Sequence, residues 1–136
     1  MTDCIFCKII AKEATGSFVY EDEHVVAFMD ISQPNPYKVL VVPRLHAPMI
    51  YDLNDEQAAA IMQVAVKLSR VIREVSKCEG LSVFQSNGRV ANQEVFHFHL
   101  HLLPRHENDN HASRRNTVTD RATLDELAAD LCAALP

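Results

Sequence analysis

The sequence lacks long hydrophobic runs, an excess of positive charge and the pattern of an N-terminal leader. Its unbroken apolar stretches, such as Val39–Pro43, are far shorter than the roughly 20 residues of a membrane-spanning helix. No basic stretch followed by a long apolar run opens the chain, which argues against a secretory signal and favours a cytoplasmic location. The net charge of −5 argues against a protein that coats nucleic acid, because such proteins need a basic face. We therefore expect neither a membrane nor nucleic acid among its partners.

The length and the composition are those of one globular domain. The chain has 136 residues, of which 48% are hydrophobic and 23% are charged. A chain of this length buries roughly two-thirds of the surface that it exposes when unfolded, which is enough for a core without crosslinks. We therefore expect a single domain over residues 1–136.

Four cysteines are present, and two of them form the pattern Cys4-x-x-Cys7. Disulfides are rare in the reducing cytosol, so this spacing indicates either a metal site or a redox dithiol. A redox dithiol usually lies between a strand and a helix of a βαβ unit, and we expect no strand before Cys4. The pattern therefore favours a metal.

Hydrophobic periodicity and capping residues predict strands interrupted by one long helix. Asn54, with Gln57 three residues later, is typical of a helix start, and Gly80 is suited to a left-handed helix end. Thr123 with Glu126 predicts the start of a C-terminal helix. The predicted elements are a helix at 4–10, strands at 18–21, 25–30 and 38–43, the long helix, strands at 81–85 and 95–103, and a polar loop at 105–122. Because hairpins dominate, we predict an α+β fold with an antiparallel sheet of about five strands, one long helix and short N- and C-terminal helices.

Histidine is concentrated in one segment, where it alternates with apolar residues. Residues 95–103 read Val-Phe-His-Phe-His-Leu-His-Leu-Leu, and the side chains of a strand point alternately to its two faces. The apolar residues are therefore predicted to face the core, and the other face to carry three imidazoles about 6.5–7 Å apart: His97, His99 and His101. Such a row fits either a catalytic zinc site or nucleophilic catalysis on phosphorus, and the spacing alone does not choose between them.

The residues around this row resemble the histidine triad (HIT) superfamily. The family signature is three histidines alternating with hydrophobic residues, and it is matched by His97-Phe98-His99-Leu100-His101-Leu102-Leu103. Outlying blocks agree with the match: Asp3-Cys4-Ile5-Phe6-Cys7-Lys8-Ile9-Ile10, Phe28-Met29-Asp30-Ile31-Ser32, Leu40-Val41-Val42-Pro43 and Pro104-Arg105. The resemblance covers most of the chain, although the loop and helix beyond residue 105 are less diagnostic.

The resemblance implies a nucleotide hydrolase or transferase, usually a homodimer, that acts on the α-phosphorus of nucleoside monophosphate conjugates. The implied substrates are purine phosphoramidates or dinucleoside polyphosphates, which contain an AMP- or GMP-like part. By position, His99 is the implied nucleophile that forms a nucleotidyl-histidine, and His101 and His97 flank it. Such an intermediate splits one difficult displacement at phosphorus into two easier ones.

The same position matching implies a nucleotide-binding site. Asp30 corresponds to the contact with the ribose hydroxyls, from which a carboxylate can accept hydrogen bonds. Gln93 and Ser86 correspond to positions at the phosphate. The apolar slot for the base is implied at five positions, each of which, taken alone, is more typical of a core: Ile5, Phe6, Ile9, Phe28 and Ile31. Three histidines lie outside the row and have no implied role as metal ligands. They are interpreted as surface residues: His24, His106 and His111.

A second site shares the histidine strand. The chain resembles a branch of bacterial zinc-containing HIT nucleotide hydrolases in which two cysteines are combined with two histidines. This resemblance implies a structural zinc ion held by Cys4, Cys7, His46 and His97, a closed ligand set that suits zinc. The alternative is a pair of buried thiols without a metal.

Three positions depart from the common family pattern. Tyr37-Lys38 stands where many members have Gly-His, Ser86 where many have Asn, and Glu94 where a Ser or Thr donates to a phosphate oxygen. An ionised Glu94 would repel phosphate unless it points away, pairs with Lys38 or Arg89, or is protonated. Glu94 and Lys38 favour the alternative of a catalytically weak nucleotide-binding or interaction module. A hydrolytic zinc site formed by the histidine row is a third hypothesis.

Overall fold

The computed structural model describes residues 3–114 and 116–136. Its helices are α1 (Ile5–Ile10), α2 (Asp55–Ser76), α3 (His111–Arg114) and α4 (Arg121–Ala134), with short 3-10 turns at Ile50–Asp52 and Arg89–Ala91. Its strands are β1 (Phe18–Glu21), β2 (Val25–Met29), β3 (Val39–Pro43), β4 (Gly80–Phe84) and β5 (Leu100–Arg105). They form one antiparallel sheet in the order β1-β2-β3-β5-β4, which confirms the predicted α+β class. No helix within the described ranges is both long and apolar enough to span a membrane.

Both faces of the sheet are covered, and this division positions the histidine row. One face packs against α2 and α4, where Leu68, Ile72 and Leu124 are buried. The other face packs against α1 through Phe6 and Ile9. Every residue of the central strands β2 and β3 is buried because both of their faces are covered. The histidine row lies on the α1 side, since the apolar residues between the histidines belong to the core beneath α2.

Helix α2 begins as the sequence predicts but ends differently. Asn54 Oδ1 accepts the Gln57 N–H at 2.8 Å, and Gln57 Oε1 accepts the Asn54 N–H at 2.9 Å, which completes the predicted capping box. The left-handed residue at the helix end is Lys77, with φ of 60°, and its N–H donates to the Arg73 carbonyl. The prediction of Gly80 for that position is wrong, because the chain turns earlier and Gly80 already begins β4.

Strand β5 starts later and ends later than the predicted strand at 95–103. Before the ladder begins, the Phe98 N–H donates to the Ala47 carbonyl at 2.7 Å, so this stretch contacts a loop rather than a strand. At the other end, β5 continues through Pro104 in register with β4. Proline is tolerated there because β3 pairs with β5 no further than Leu102, and no ladder bond on that side needs a proline N–H.

Residues 105–122 contain more regular structure than the polar loop predicted for them. They include the end of β5, the short helix α3 and the start of α4. The residue that caps α4 is Asp120, whose carboxylate accepts the Thr123 N–H at 3.1 Å and the Thr123 hydroxyl at 2.8 Å. The prediction of Thr123 as the cap is wrong, because an aspartate with the same capping chemistry precedes it.

Candidate active site and metal centre

His99 is half-buried in a cleft of about 640 Å³ beside β4 and β5. Its Nδ1 donates to the carbonyl of His97 at 2.7 Å, and this bond selects the tautomer that leaves the Nε2 lone pair free. Burial lowers the pKa of His99 below its ordinary value, so the ring is neutral at pH 7. A neutral imidazole with one nitrogen anchored and the other free can act as a nucleophile.

His101 lies next to His99, with ring centroids 4.9 Å apart. Its ring stacks on Phe84 at a centroid distance of 4.3 Å and an interplanar angle of 9°. Burial, together with the positive charge of Lys38, lowers the pKa of His101 to about 3, so this ring is also neutral. Its Nδ1 is buried and has no hydrogen-bond partner among the described residues. Nε2 is therefore the nitrogen of His101 that remains available to a ligand.

His97 is fully buried and its ring faces away from the cleft. Its Nε2 donates to the Pro43 carbonyl at 2.8 Å, which leaves the lone pair on Nδ1. Nδ1 lies 3.5 Å from the Sγ atoms of Cys4 and Cys7 and 3.2 Å from Nδ1 of His46. Because both ring nitrogens of His97 are engaged on that side, the three histidines of the row do not converge on one point. The structure therefore does not support the hypothesis of a hydrolytic zinc site formed by the row.

A cluster of four potential metal ligands lies beside α1: Cys4, Cys7, His46 and His97. One potential ligand atom from each residue lies within 4.8 Å of all the others. The two Nδ1 atoms are 3.2 Å apart, and Sγ of Cys7 lies 3.4 Å from Nδ1 of His46. A tetrahedral ion with metal–nitrogen bonds of about 2.05 Å and metal–sulfur bonds of about 2.3 Å would space these atoms by roughly 3.3 Å and 3.6 Å. The observed spacings fit such an ion.

The start of α1 builds the cysteine half of this cluster. Cys4 is the N-cap of the helix, and its Sγ accepts the Cys7 N–H at 3.4 Å. One helical turn therefore brings both sulfurs to the same side. Burial, followed by the neighbouring Cys4 thiol, raises the pKa of the Cys7 thiol to about 11. The thiol keeps its proton at pH 7 unless a bound cation displaces it.

One residue connects the cluster to the cleft. The ring of His97 faces the two cysteines, and the carbonyl of His97 accepts the Nδ1 proton of His99. Any interaction that holds the His97 ring in place therefore also holds the group that orients His99. In metal sites generally, the groups that bond to a metal ligand fix the orientation of that ligand.

The predicted ribose-binding carboxylate is engaged in an ion pair. Lys38 Nζ donates to Asp30 Oδ2 at 2.7 Å, and both side chains are largely buried. Gln33 joins the two backbones, since its Nε2 donates to the carbonyls of Asp30 and Lys38 at 2.7 and 2.8 Å. Tyr37 precedes the lysine with φ of 78°, a conformation that favours glycine, and its hydroxyl donates to Asp130 at 2.7 Å. The Tyr37-Lys38 pair thus provides a left-handed turn at Tyr37 and the cation of the ion pair at Lys38.

Both positions implied for the phosphate lie in the wall of the cleft, but the Gln93 amide is fully engaged. Its Nε2 donates to the carbonyls of Pro48 and Val95 at 2.7 and 3.0 Å, and its Oε1 accepts the Gly88 N–H at 2.7 Å. A side-chain amide has two N–H groups, so none remains for a phosphate oxygen. Gln93 therefore braces the loop that precedes β5, whereas Ser86 is half-buried in the same wall.

Glu94 is exposed and lines the same cleft. Lys38, one of the two cations considered for it, is bound to Asp30 instead. Within residues 3–114 and 116–136, the Glu94 carboxylate makes no ion pair and no hydrogen bond. Its charge reaches His99, where it favours the protonated ring against the larger, opposite effect of burial on the pKa. The structure thus leaves the Glu94 carboxylate unpartnered by this part of the chain, in the lining of the cleft that contains the candidate nucleophile.

The five positions implied for the base divide into two groups. Phe6, Ile9 and Phe28 are buried between α1 and the sheet, where they form a core. Ile5 and Ile31 keep 46% and 51% of their surface exposed. Large apolar side chains with this much exposure remain available to a ligand. The three buried side chains instead pack beneath the implied base-binding slot.

Sequence reasoning missed a hydrogen-bonded cluster at the far end of the cleft. The carboxylate of Asp109 accepts two bonds from the Arg105 guanidinium, at 2.8 and 3.1 Å. It also accepts from Asn35 Nδ2 at 2.9 Å and lies 3.2 Å from Nδ1 of His111. His111, interpreted as a surface residue, therefore lines the cleft together with Arg105. The only signal in the sequence was an aspartate four residues after an arginine, and nothing in it pointed to Asn35.

Comparison with known proteins assigns the chain to a family. A family model of the HIT domain matches residues 11–108. Protein hit of Bacillus subtilis is 44% identical over 104 residues, which are 76% of this chain and 72% of that protein. Adenosine 5'-monophosphoramidase HNT1 of Saccharomyces cerevisiae is 35% identical over 104 residues, which are 76% of this chain and 63% of that protein.

Solved structures have the same architecture over nearly the whole chain. A Hit-like protein from Bartonella henselae has a TM-score of 0.93 at 31% identity, covering 99% of this chain and 98% of that chain. A zinc-bound histidine triad family protein from Mycobacterium smegmatis has a TM-score of 0.85 at 30% identity, covering 98% of this chain and 94% of that chain. With the matched residues spanning most of its length, the chain belongs to the HIT, or histidine triad, family.

Proposed function

We propose that this chain is a nucleotide hydrolase or transferase that attacks the α-phosphorus of nucleoside monophosphate conjugates with Nε2 of His99. The observation that carries this function is the 2.7 Å bond from His99 Nδ1 to the His97 carbonyl. It leaves a neutral nitrogen with a free lone pair in the cleft. The yeast relative is an adenosine 5'-monophosphoramidase, which supports an adenosine phosphoramidate as the first substrate to test. Dinucleoside polyphosphates are the second class, because they present the same α-phosphorus.

In the first step, Nε2 of His99 forms a bond to the α-phosphorus while the bond from phosphorus to the leaving group breaks. The leaving group departs with the electron pair and takes up a proton from water. The ring then carries a positive charge, and the carbonyl of His97, which accepts the Nδ1 proton at 2.7 Å, stabilises it. The product of this step is a nucleotidyl-histidine.

In the second step, water attacks the phosphorus and the bond to His99 breaks. The electron pair returns to Nε2, the water proton passes to solvent, and the nucleoside monophosphate is released. Each displacement is easier than direct attack by water, because a neutral imidazole is both a good nucleophile and a good leaving group. A nucleophile other than water in this step would make the protein a transferase.

The neighbours of His99 bind the substrate. The unpartnered Nδ1 of His101 is buried, and a buried lone pair costs less than a buried N–H, so we assign the proton to Nε2, which donates to a phosphoryl oxygen. Asp30, held by Lys38, accepts from the ribose hydroxyls. Ile5 and Ile31 contact the base with their exposed apolar surface.

A covalent adduct tests this function directly. Wild-type protein is mixed briefly with an adenosine phosphoramidate, quenched in acid-free denaturant and measured by intact-mass spectrometry. We expect one adenylyl group per chain, because the nucleotidyl-histidine lies on the reaction path. Rapid turnover with no adduct under any quench, and with inverted stereochemistry at phosphorus, would contradict a covalent route.

A catalytically weak nucleotide-binding module is the second candidate function. Two observations favour it: the Gln93 amide has no N–H left for phosphate, and Glu94 lines the cleft. Such a module would bind AMP tightly but form no adduct and release no product. The intact-mass experiment, run beside a calorimetric titration with AMP, separates the two functions.

We propose that the cluster of Cys4, Cys7, His46 and His97 holds a structural zinc ion. Two thiolates and two imidazoles make a closed tetrahedral set with no position left for substrate. The nitrogen–nitrogen distance of 3.2 Å and the sulfur–nitrogen distance of 3.4 Å support this choice. The zinc-bound relative from Mycobacterium smegmatis supports it further. Bound zinc would fix α1 and the His97 ring and would take no part in the chemistry at phosphorus.

We infer from the family resemblance that the chain forms a homodimer, with β4 as the contacting edge. β4 is an edge strand of the sheet, and Val83 on it is 50% exposed beside Val66, which is 42% exposed. Unpaired strand edges with exposed apolar side chains favour association with another strand. Sedimentation velocity should show a dimer. Val83→Lys should raise the Kd of this dimer at least about tenfold, which corresponds to about 1.4 kcal/mol. The control Val90→Lys alters a residue of the 3-10 turn at Arg89–Ala91 that is 98% exposed, and it should leave the dimer intact.

A further inference from the structure

The cleft that contains His99 has an unusual charge balance for a site that binds phosphate. Among the described residues that line it, three carry formal charges: Lys38, Arg105 and Glu94. The Lys38 ammonium is 2.7 Å from a carboxylate oxygen of Asp30. The Arg105 guanidinium makes two bonds, at 2.8 and 3.1 Å, to the carboxylate of Asp109. Each cation of this lining is therefore already matched by an anion of the protein.

The two imidazoles at the reacting centre do not add a positive charge. Burial, together with Lys38, lowers the pKa of His101 to about 3, and His99 acts as a neutral nucleophile in the proposed function. The third imidazole of the lining, His111, lies 3.2 Å from the Asp109 carboxylate. Glu94 alone among these described lining residues carries a charge without an ion-pair partner. The cleft therefore presents one uncompensated negative charge to its ligand.

The position of this charge is set by the loop before β5. Asn92 adopts a left-handed conformation with φ of 72°, and the Gln93 amide is tied to three backbone groups on either side. These bonds fix the backbone on which Glu94 stands, while its carboxylate stays exposed. Glu94 and His99 line the same cleft.

A carboxylate in this place discriminates among leaving groups. It repels an anionic phosphate and accepts hydrogen bonds from an amine or an ammonium. We propose that Glu94 is a specificity-determining residue that favours amine leaving groups, above all those with an additional ammonium, over polyphosphate leaving groups. Because this role requires attack by His99, it rests on the proposed function and assigns the chain to phosphoramidates rather than dinucleoside polyphosphates.

The chemistry of the favoured reaction is balanced without a further reactant. Nε2 of His99 bonds to the α-phosphorus, and the phosphorus–nitrogen bond of the phosphoramidate breaks. The nitrogen leaves with the electron pair and takes one proton from water as the bond breaks, which gives a neutral amine. The amine then takes a second proton from solvent and becomes an ammonium, while the water that attacks in the second step returns its proton to solvent. The Glu94 carboxylate accepts a hydrogen bond from the departing nitrogen, and its attraction grows as positive charge develops there.

Matched substrates test this role. The probes are two adenosine 5′-phosphoramidates of equal length, one made with propane-1,3-diamine and one with 3-aminopropanol, together with diadenosine tetraphosphate. We expect wild-type kcat/KM to favour the diamine conjugate over the alcohol by about fivefold, the effect of a unit charge pair about 4 Å apart in water. The preference should shrink between about 0.05 and 1 M salt, because the screening length falls to about 3 Å.

Two variants make the result decisive. Glu94→Gln removes the charge and should abolish the preference while it raises relative activity on diadenosine tetraphosphate severalfold. Glu126→Gln removes an exposed charge on α4, on the opposite face of the sheet, and should keep the wild-type preference. Equal preferences in wild type and Glu94→Gln would overturn the role, with the proposed function intact.

The role of Glu94 can also be measured without turnover. His99→Ala retains the cleft and can be titrated by calorimetry with the same two phosphoramidates. A tighter Kd for the diamine conjugate that disappears in the double variant His99→Ala/Glu94→Gln supports the role even if wild-type protein proves inactive. Indistinguishable affinities in this pair would overturn it, whereas inactivity of the wild type alone counts against the proposed function.

Discussion

Replacement of His99 by Ala is expected to lower kcat/KM for an adenosine phosphoramidate by a factor on the order of 10⁴ to 10⁶, the usual loss when a covalent nucleophile is removed. Among the described residues of the cleft, the variant loses the one ring whose Nδ1 is anchored by a backbone carbonyl, at 2.7 Å, and whose Nε2 is free. The residual rate reflects phosphate binding by the remaining donors. Steady-state release of AMP, followed by chromatography, measures the loss, and the adenylyl adduct should disappear with it.

A matched histidine separates this effect from general damage. His24 lies beside the β1–β2 turn, 3.8 Å from carboxylate oxygens of Glu23 and Glu56, and does not line the cleft. His24→Ala should therefore retain wild-type kinetics. Thermal unfolding of His99→Ala must stay cooperative for the comparison to count. Near-normal turnover by a folded His99→Ala protein would show that His99 is not the nucleophile.

Local patterns in the sequence predicted the parts of the fold that depend on local physics. The period of two in the histidine strand put Phe98, Leu100 and Leu102 into the core beneath α2, because strand side chains alternate whatever the tertiary context. The capping box at the start of α2 formed as predicted, since its hydrogen bonds span only three residues. Both features follow from contacts within one element.

Boundaries that depend on neighbouring strands were not predictable in this way. The row of histidines starts before the ladder does, because β5 meets β3 only at Leu100 and the earlier residues contact a loop near Ala47. Alternation describes an extended backbone and does not say where a partner strand begins. The predicted strand stops at residue 103, whereas β5 continues through Pro104, which is tolerated because it lies beyond the ladder with β3.

The ion pairs of the cleft were likewise not predictable from the sequence alone. The sequence identifies the charged residues Lys38, Arg105 and Glu94. The ion pairs that they form depend on which side chains the fold brings close to each of them. Lys38 pairs with Asp30 and not with Glu94, because the Gln33 amide bonds to the backbone carbonyls of both Asp30 and Lys38 and holds them close together. The uncompensated charge on Glu94 is therefore a property of the folded cleft.

Cys7→Ser is expected to release bound zinc and lower the melting temperature strongly. Binding of structural zinc contributes about 10–16 kcal/mol in small zinc domains. Even a third of that, about 3–5 kcal/mol, would lower Tm by roughly 10–20 °C in a domain of this size. The reason is geometric: Sγ of Cys7 lies 3.4 Å from Nδ1 of His46 and 3.5 Å from Nδ1 of His97, so it contacts both histidine ligands. Elemental analysis and differential scanning calorimetry measure the two effects.

Cys132→Ser is the matched control for this substitution. Cys132 is exposed on α4, where its thiol donates to the carbonyls of Phe18 and Val19 at 3.6 Å and belongs to no metal-ligand cluster of the described residues. The control should keep about one zinc per chain and a wild-type Tm. Purified wild-type protein without stoichiometric zinc, or a Cys7→Ser protein that keeps both its metal and its Tm, would contradict the assignment.

The loss of zinc should also lower activity in the cleft, although no zinc ligand touches the substrate in the proposed mechanism. His97 presents its ring to the cluster and its carbonyl to His99, so a loosened ring loosens the group that selects the His99 tautomer. We expect kcat of Cys7→Ser to fall more than its affinity for AMP, because orientation of the nucleophile matters in the transition state and not in nucleotide binding. Equal losses in kcat and AMP affinity would instead indicate general unfolding. Unchanged kcat in a protein free of zinc would show that the two sites are neighbours along the chain without sharing a function.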